Sequence, residues 1–265
     1  MTTPVIAGAK PLWGKHAMVP GGTRGIGAAI ARELLAQGAR VTILGRNPRS
    51  IDKALIPLVD TGEIASVQAD VADSQAVANA FAKASERFGA IQILVNSAGQ
   101  ASSAPFLKTD QELWRRMLSI NVDGAVNCMQ AALPGMLEAG WGRIVTIAST
   151  AGLVGYAYVS AYCASKHALI GLTRALALET ALKGVTVNAV CPGYTETEML
   201  EATIANIRAK TGRTAESARG DLTARNPQRR FVQPAEVANA VCWLCVPGSE
   251  SVTGQAIAVA GGELM

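Results

Sequence analysis

A chain of 265 residues, 49% apolar and 17% charged, has ample material for one large core. Area scaling lets a chain of this size bury roughly 70% of its extended surface. That composition excludes a disordered chain, while 26 glycines without a three-residue period and only five cysteines exclude collagen-like and disulfide-stapled classes. A formal charge of +4, with 5% aromatics and no basic block of five residues, argues against nucleic acid as a partner.

No apolar run reaches the roughly 18 residues of a membrane span. Pro4, Gly8, Lys10 and Pro11 interrupt the stretch from Met1 to Trp13, so no signal peptide is expected there. Cys128, Cys163, Cys191, Cys242 and Cys245 are scattered and odd in number, which suits reduced thiols in the cytoplasm. Cys242 and Cys245 have C-x-x-C spacing but sit late in a helical pattern that starts at Pro234. No second pair completes a metal site, so both are expected to pack in the core.

Along the chain, strands are expected at His16–Pro20, Arg40–Gly45, Ile64–Ala69, Ile91–Asn96, Arg143–Ala148, Thr186–Val190 and Gln255–Val259. Several are continuous apolar runs, as strands covered on both faces are. Between them Ile26, Ile30 and Leu34 share one helical face that stops at Gly38. Asp73 or Ser74 caps a helix running to Phe88, which Gly89 ends. One helix is expected over Leu113–Leu137 with Pro134 marking its last turn, and another over Ser160–Lys183, closed by Gly184. Strand–helix alternation at this spacing predicts a doubly wound α/β fold: a seven-stranded parallel sheet with helices on both faces, as one domain over 1–265. Residues 194–233, between the sixth strand and the last helix, form an insertion of the kind that serves as a lid.

The first strand runs into Gly21-Gly22-Thr23-Arg24-Gly25-Ile26-Gly27 and then a helix. Glycines permit a tight turn and close backbone approach, and a helix N-terminus presents free N–H groups to a pyrophosphate. The spacing is G-x-x-x-G-x-G rather than the commoner G-x-G-x-x-G. The second strand ends in Gly45-Arg46 with no acid to accept ribose hydroxyls, whereas Arg46 and Arg24 suit a 2′-phosphate, so NADP is favoured over NAD. Asp70, followed by Val71, is a candidate for the adenine edge or, equally, a capping residue.

Tyr162 and Lys166, four apart on one helix, stand on the same face. A neighbouring ammonium is expected to pull the tyrosine pKa down toward working pH, making a proton donor and acceptor for a carbonyl or alcohol oxygen. Ser149 follows the fifth strand and Asn96-Ser97-Ala98-Gly99 ends the fourth, at the carboxyl edge where open α/β sheets bind ligands.

In this order, with Asn121 and Pro192-Gly193, these motifs make the chain from Lys15 to Gly262 resemble a short-chain dehydrogenase/reductase of about 250 residues, nearest to ketoacyl, hydroxyacyl and polyketide ketoreductases. The resemblance implies a Rossmann-like domain and a catalytic tetrad. Tyr162 would be the general acid/base, Lys166 would bind the nicotinamide ribose and lower the tyrosine pKa, Ser149 would hold the substrate oxygen, and Asn121 would hold a water in the proton relay. Cofactor contacts would come from Gly21, Thr23, Arg24, Gly25, Ile26, Gly27, Arg46, Asp70, Val71, Asn96, Ala98, Gly99, Tyr162, Lys166, Pro192 and Gly193. Pro20 stands where the family usually has Thr and Ser97 where it usually has Asn, and His167 is read as structural. The insertion carries Arg208, Lys210, Arg213, Arg219, Arg225, Arg229 and Arg230 against Glu201, Glu216 and Asp221, which suits an anionic acyl-CoA or acyl carrier protein as readily as a plain solvated surface. A keto or hydroxy group on an acyl thioester leads as substrate. A hydroxy acid, cyclic alcohol or hydroxysteroid, or a non-catalytic subunit on the same scaffold, remain alternatives. A homotetramer or dimer packed through the Leu113–Leu137 and Ser160–Lys183 helices is implied by the family alone.

Overall fold

A computed structural model describes residues 10–264, so the readings at Pro4 and Gly8 lie outside the described residues. At its centre is one parallel sheet of β1 (His16–Pro20), β2 (Arg40–Gly45), β3 (Ile64–Gln68), β4 (Ile93–Asn96), β5 (Gly142–Ile147), β6 (Val185–Pro192) and β7 (Ala256–Val259). The spatial order is β3-β2-β1-β4-β5-β6-β7, with every pair parallel. The chain winds outward from β1 to β3, then returns to lay β4 beside β1. The order therefore reverses between β1 and β4, and a crevice opens there at the strands' carboxyl ends.

β1, β4, β5 and β6 are buried along their whole length, which explains why they are mainly apolar without an in–out alternation. One face is covered by α1 (Gly25–Ala36) and α9 (Pro234–Cys245), whose Ile30, Leu34, Val237 and Val241 pack with Val19, Ile43 and Val145. The other is covered by α3 (Ser74–Phe88), α5 (Gly124–Glu138) and α6 (Ser160–Thr180), with Phe81, Cys128, Met136 and Ala177 against Met18, Leu94 and Ile144. Asp73 caps α3 by accepting from the Ala76 N–H, and Gly184 at φ +70° ends the turn that follows α6. Cys242 and Cys245 are buried in the first of these layers, as expected.

Three elements differ from the sequence reading. The helix expected over Leu113–Leu137 is α4 (Gln111–Leu118) and α5 joined by a π-helical turn, Ser119–Asp123; Pro134 opens the last turn of α5, as expected. A short α2 (Pro48–Leu55) follows β2, with Asn47 accepting from the Ser50 N–H and Pro48 at its first position. The insertion folds into α7 (Glu198–Thr211) and α8 (Ala215–Thr223), its ends tied by Val232 N–H to Tyr194 carbonyl (2.9 Å) and Glu196 N–H to Val232 carbonyl (2.9 Å). Among the described residues no helix is long and apolar enough to cross a membrane.

Candidate active site

A cleft of about 840 Å³ lies at the carboxyl ends of the strands, under α7. Its wall includes Gly21, Thr23, Arg24, Gly25, Ile26, Gly27, Arg46, Val71, Ala98, Gly99, Ser149, Tyr162, Lys166, Pro192 and Gly193. Fold topology thus gathers onto one cavity motifs that lie far apart in the chain. Three named residues are not among those lining it: Asp70, Asn96 and Asn121.

The glycine loop is tight because nothing larger fits. A Cβ on Gly27 would stand 2.2 Å from the Gly21 carbonyl oxygen, and one on Gly21, at φ +80°, would stand 2.6 Å from the Ala98 nitrogen. No side chain caps α1, so the N–H groups of its first turn face the loop. The Pro20 carbonyl accepts from Ser97 N–H at 3.0 Å, joining β1 to the β4 loop. Both candidate phosphate partners already face acids. Arg46 lies 3.4 Å from Asp70 and Arg24 lies 2.7 Å from Glu198, all four side chains being exposed. Exposed pairs of this kind are worth at most about 1 kcal/mol, so a doubly charged phosphate can displace them. Asp70 also accepts from the Ala72 N–H at 3.0 Å, a local turn bond just ahead of the Asp73 cap.

Ser149 sits at the start of a single helical turn, Thr150–Gly152, and accepts from the Ala151 N–H at 3.1 Å. Tyr162, on the first turn of α6, faces the same cleft. Lys166, one turn on, is buried, donates to the Ile147 carbonyl oxygen at 2.8 Å, and places Nζ 5.7 Å from the centroid of the Tyr162 ring. The electrostatics correct the expectation that the lysine sets the tyrosine's pKa. Burial dominates and pushes Tyr162 up to about 12, with the nearby Ser149 hydroxyl opposing it. Burial likewise brings Lys166 down to about 8.

Asn121 lies in the π-helical turn with its side chain fully engaged. Its Oδ1 accepts from Gln100 N–H (2.8 Å), and its Nδ2 donates to the Gln100 carbonyl (3.0 Å) and to Ser165 Oγ (3.0 Å). The side chain therefore fastens α4–α5 to the β4 loop and to α6, with both Nδ2 hydrogens committed. Asn96 is buried in β4 beside Thr146 of β5, and the polar side-chain atoms of both are unpartnered within the protein. His167 is exposed and its Nδ1 lies 2.9 Å from the Cys163 carbonyl, in keeping with a structural reading. The cleft also takes Thr150, Tyr156, Tyr194 and Asn206, which no motif singled out.

A family model described as enoyl-(acyl carrier protein) reductase matches residues 21–263. A Streptomyces coelicolor protein provisionally named a ketoacyl reductase is 40% identical, covering 93% of this chain and 95% of the relative. A D-beta-hydroxybutyrate dehydrogenase of Rhizobium meliloti is 34% identical over 94% of this chain and 98% of the relative. The chain belongs to the short-chain dehydrogenase/reductases. Among solved structures, a variant of actinorhodin polyketide ketoreductase with NADPH superposes with a TM-score of 0.91 at 38% identity, covering 94% of this chain and 97% of that one.

As a short-chain dehydrogenase/reductase, the protein is a nicotinamide-dependent oxidoreductase acting on CH–OH or keto groups. The cleft fits such a cofactor on its own terms: glycine backbone forms a cradle that a Cβ would fill, and the adjoining helix start has no side-chain cap.

Proposed function

We propose that the protein is an NADP-dependent reductase or dehydrogenase of a keto or hydroxy group on an acyl thioester. The observation that carries this reading is the meeting of Tyr162, Ser149 and Lys166 on the cleft that the Gly21–Gly27 loop opens into. The bound nicotinamide supplies hydride for reduction or takes it up in oxidation. The Tyr162 hydroxyl, kept protonated by burial, donates its proton to the carbonyl oxygen in the reducing direction, and Ser149 holds that oxygen by a hydrogen bond. Lys166, anchored by the Ile147 carbonyl and with Nζ 5.7 Å from the centroid of the Tyr162 ring, would hold the nicotinamide ribose.

NADP is favoured by Arg46 and Arg24, which line the cleft where the second strand ends without an acid. The 194–233 segment acts as the lid. Three of its basic side chains are paired: Arg213 with Asp221, Arg219 with Glu196 and Glu201, and Arg230 with Glu236 of α9. Lys210 remains on the cleft wall as the cation that suits an acyl-CoA or carrier-bound phosphate. We place the protein in the cytoplasm, as its free thiols suit, and as a homo-oligomer, as exposed Leu178 and Leu182 at the end of the α6 segment suit.

A second reading, a dehydrogenase of free hydroxy acids, is supported by the hydroxybutyrate dehydrogenase relative. Titration with NADPH and NADH, then turnover of acetoacetyl-CoA against acetoacetate, separates the two. Tyr162→Phe is expected to lower turnover by about 10²–10⁴-fold, the range of a lost general acid, while leaving NADPH affinity unchanged. Undiminished turnover in that variant overturns the assignment.

A further inference from the structure

Tyr156, on the loop between the Thr150–Gly152 turn and α6, lines the cleft together with Tyr162. Its phenolic oxygen lies 2.9 Å from Thr150 Oγ1 and 2.5 Å from a carboxylate oxygen of Glu263. A carboxylate only accepts, so Tyr156 donates to Glu263 and accepts from Thr150. The Arg225 guanidinium lies over the Tyr156 ring, 4.8 Å from its centroid.

Glu263 is delivered by a built turn rather than a loose tail. Its N–H donates to the Ala260 carbonyl at 3.1 Å after Gly261 and Gly262, both with positive φ. A Cβ on Gly261 would stand 2.2 Å from Asn226 Oδ1, and one on Gly262 3.3 Å from the Pro227 ring, so this turn fits only against the end of the 194–233 segment. The other carboxylate oxygen lies 3.0 Å from where a Cβ on Gly193 would be. One side chain thus touches the Tyr156 wall and the Gly193 segment, while the turn bearing it packs on the base of the insertion.

We propose that Glu263 is a positioning residue for the substrate side of the cleft: it holds the Tyr156 hydroxyl so that the ring forms a fixed wall, and so governs substrate affinity without touching the reacting atoms. The kinetic arm of this proposal rests on the oxidoreductase reading; the structural arm does not.

The experiment is a double-mutant cycle of Tyr156→Phe and Glu263→Ala, read by substrate kinetics, NADPH titration and thermal unfolding. Loss of one hydrogen bond to a charged acceptor predicts a KM for the carbonyl substrate higher by about three- to tenfold in each single variant, with kcat within about twofold and NADPH affinity unchanged. The double variant is expected to match the singles in both KM and Tm, and Glu263→Gln, which keeps an acceptor oxygen, is expected to restore most of the KM. Additive losses, an effect on kcat alone, or an unmoved KM in an active enzyme overturns the proposal. Should the wild type turn over neither substrate, the acyl-thioester and hydroxy-acid readings fall and non-additivity in Tm alone decides the Glu263–Tyr156 linkage.

Discussion

Lys166 is the residue whose charge the fold opposes most openly. It is 5% exposed, and burial brings it from 10.5 to about 8, so between those pH values the unfolded chain holds a proton that the folded chain has released. Stability therefore rises with pH across that window, by up to about 3 kcal/mol. Tyr162 has the opposite sign: its folded pKa of about 12 lies above the ordinary 10.0, so its contribution is present below pH 10 and is lost as pH rises toward 12. Lys166→Met removes the rising limb. Chemical unfolding of both proteins at a series of pH values should show the variant losing ground to wild type between pH 8 and 10.5, and a constant difference would contradict the buried-ammonium account. Arg46 is the other residue with a decisive test. It lies 3.4 Å from Asp70 across an exposed rim, a pair worth little in itself. Arg46→Asp places like charges there, so fluorescence titration should show NADPH binding weakened by at least about tenfold and NADH binding improved. A wild type that already prefers NADH removes the basis for this reading. Tyr162, Lys166, Ser149 and Arg46 were all legible because each is a short motif at the end of a strand or on one helix turn. The tyrosine's pKa was not legible: whether burial or a neighbouring charge wins depends on surroundings that only the folded chain supplies.

At the scale of elements, α7 is held over the mouth of the cleft by side chains. Asn206 donates to Ser103 Oγ at 3.0 Å and Lys210 donates to the Ser103 carbonyl at 3.4 Å, tying the insertion to the loop after β4. Asn206→Ala removes the shorter link. Limited trypsinolysis is expected to cut faster at Arg208, Lys210 and Arg213 than in wild type, with the core fragments unaffected. Equal rates would mean that α7 is held by its apolar contacts through Leu200 and Ile204 alone. The start of α3 and the close of the turn after α6 were readable from Asp73 and Gly184, because caps and left-handed glycines are local signals. The break between α4 and α5 was not. A π-helical turn adds one residue without disturbing the apolar spacing on either side, and what fixes it is the tertiary bonding of Asn121 to Gln100 and Ser165. The Asn47-Pro48 start of α2 was a legible signal in a helix of only eight residues, too short for periodicity to display.

For the whole molecule, the strand positions followed from apolar runs, whereas the reversal of order that creates the crevice is a property of pairing between β1 and β4, residues far apart in sequence. The same packing decides the chemistry of the thiols. Cys128, Cys191, Cys242 and Cys245 are buried, and burial pushes Cys191 up to about 11, Cys128 and Cys245 up to about 12, and Cys242 higher still. The attacking species in thiol exchange is the thiolate, so at pH 8 these four have neither the charge nor the access to react. Cys163 differs: it is only partly buried, next to Tyr162 on α6. An aromatic disulfide reagent added to native protein at pH 8 is therefore expected to titrate one thiol within minutes, and all five once guanidinium chloride unfolds the chain. Cys163→Ser should abolish the native signal. Two or more fast thiols in the native protein would show that the packing around at least one of Cys128, Cys191, Cys242 and Cys245 opens on the timescale of the reaction.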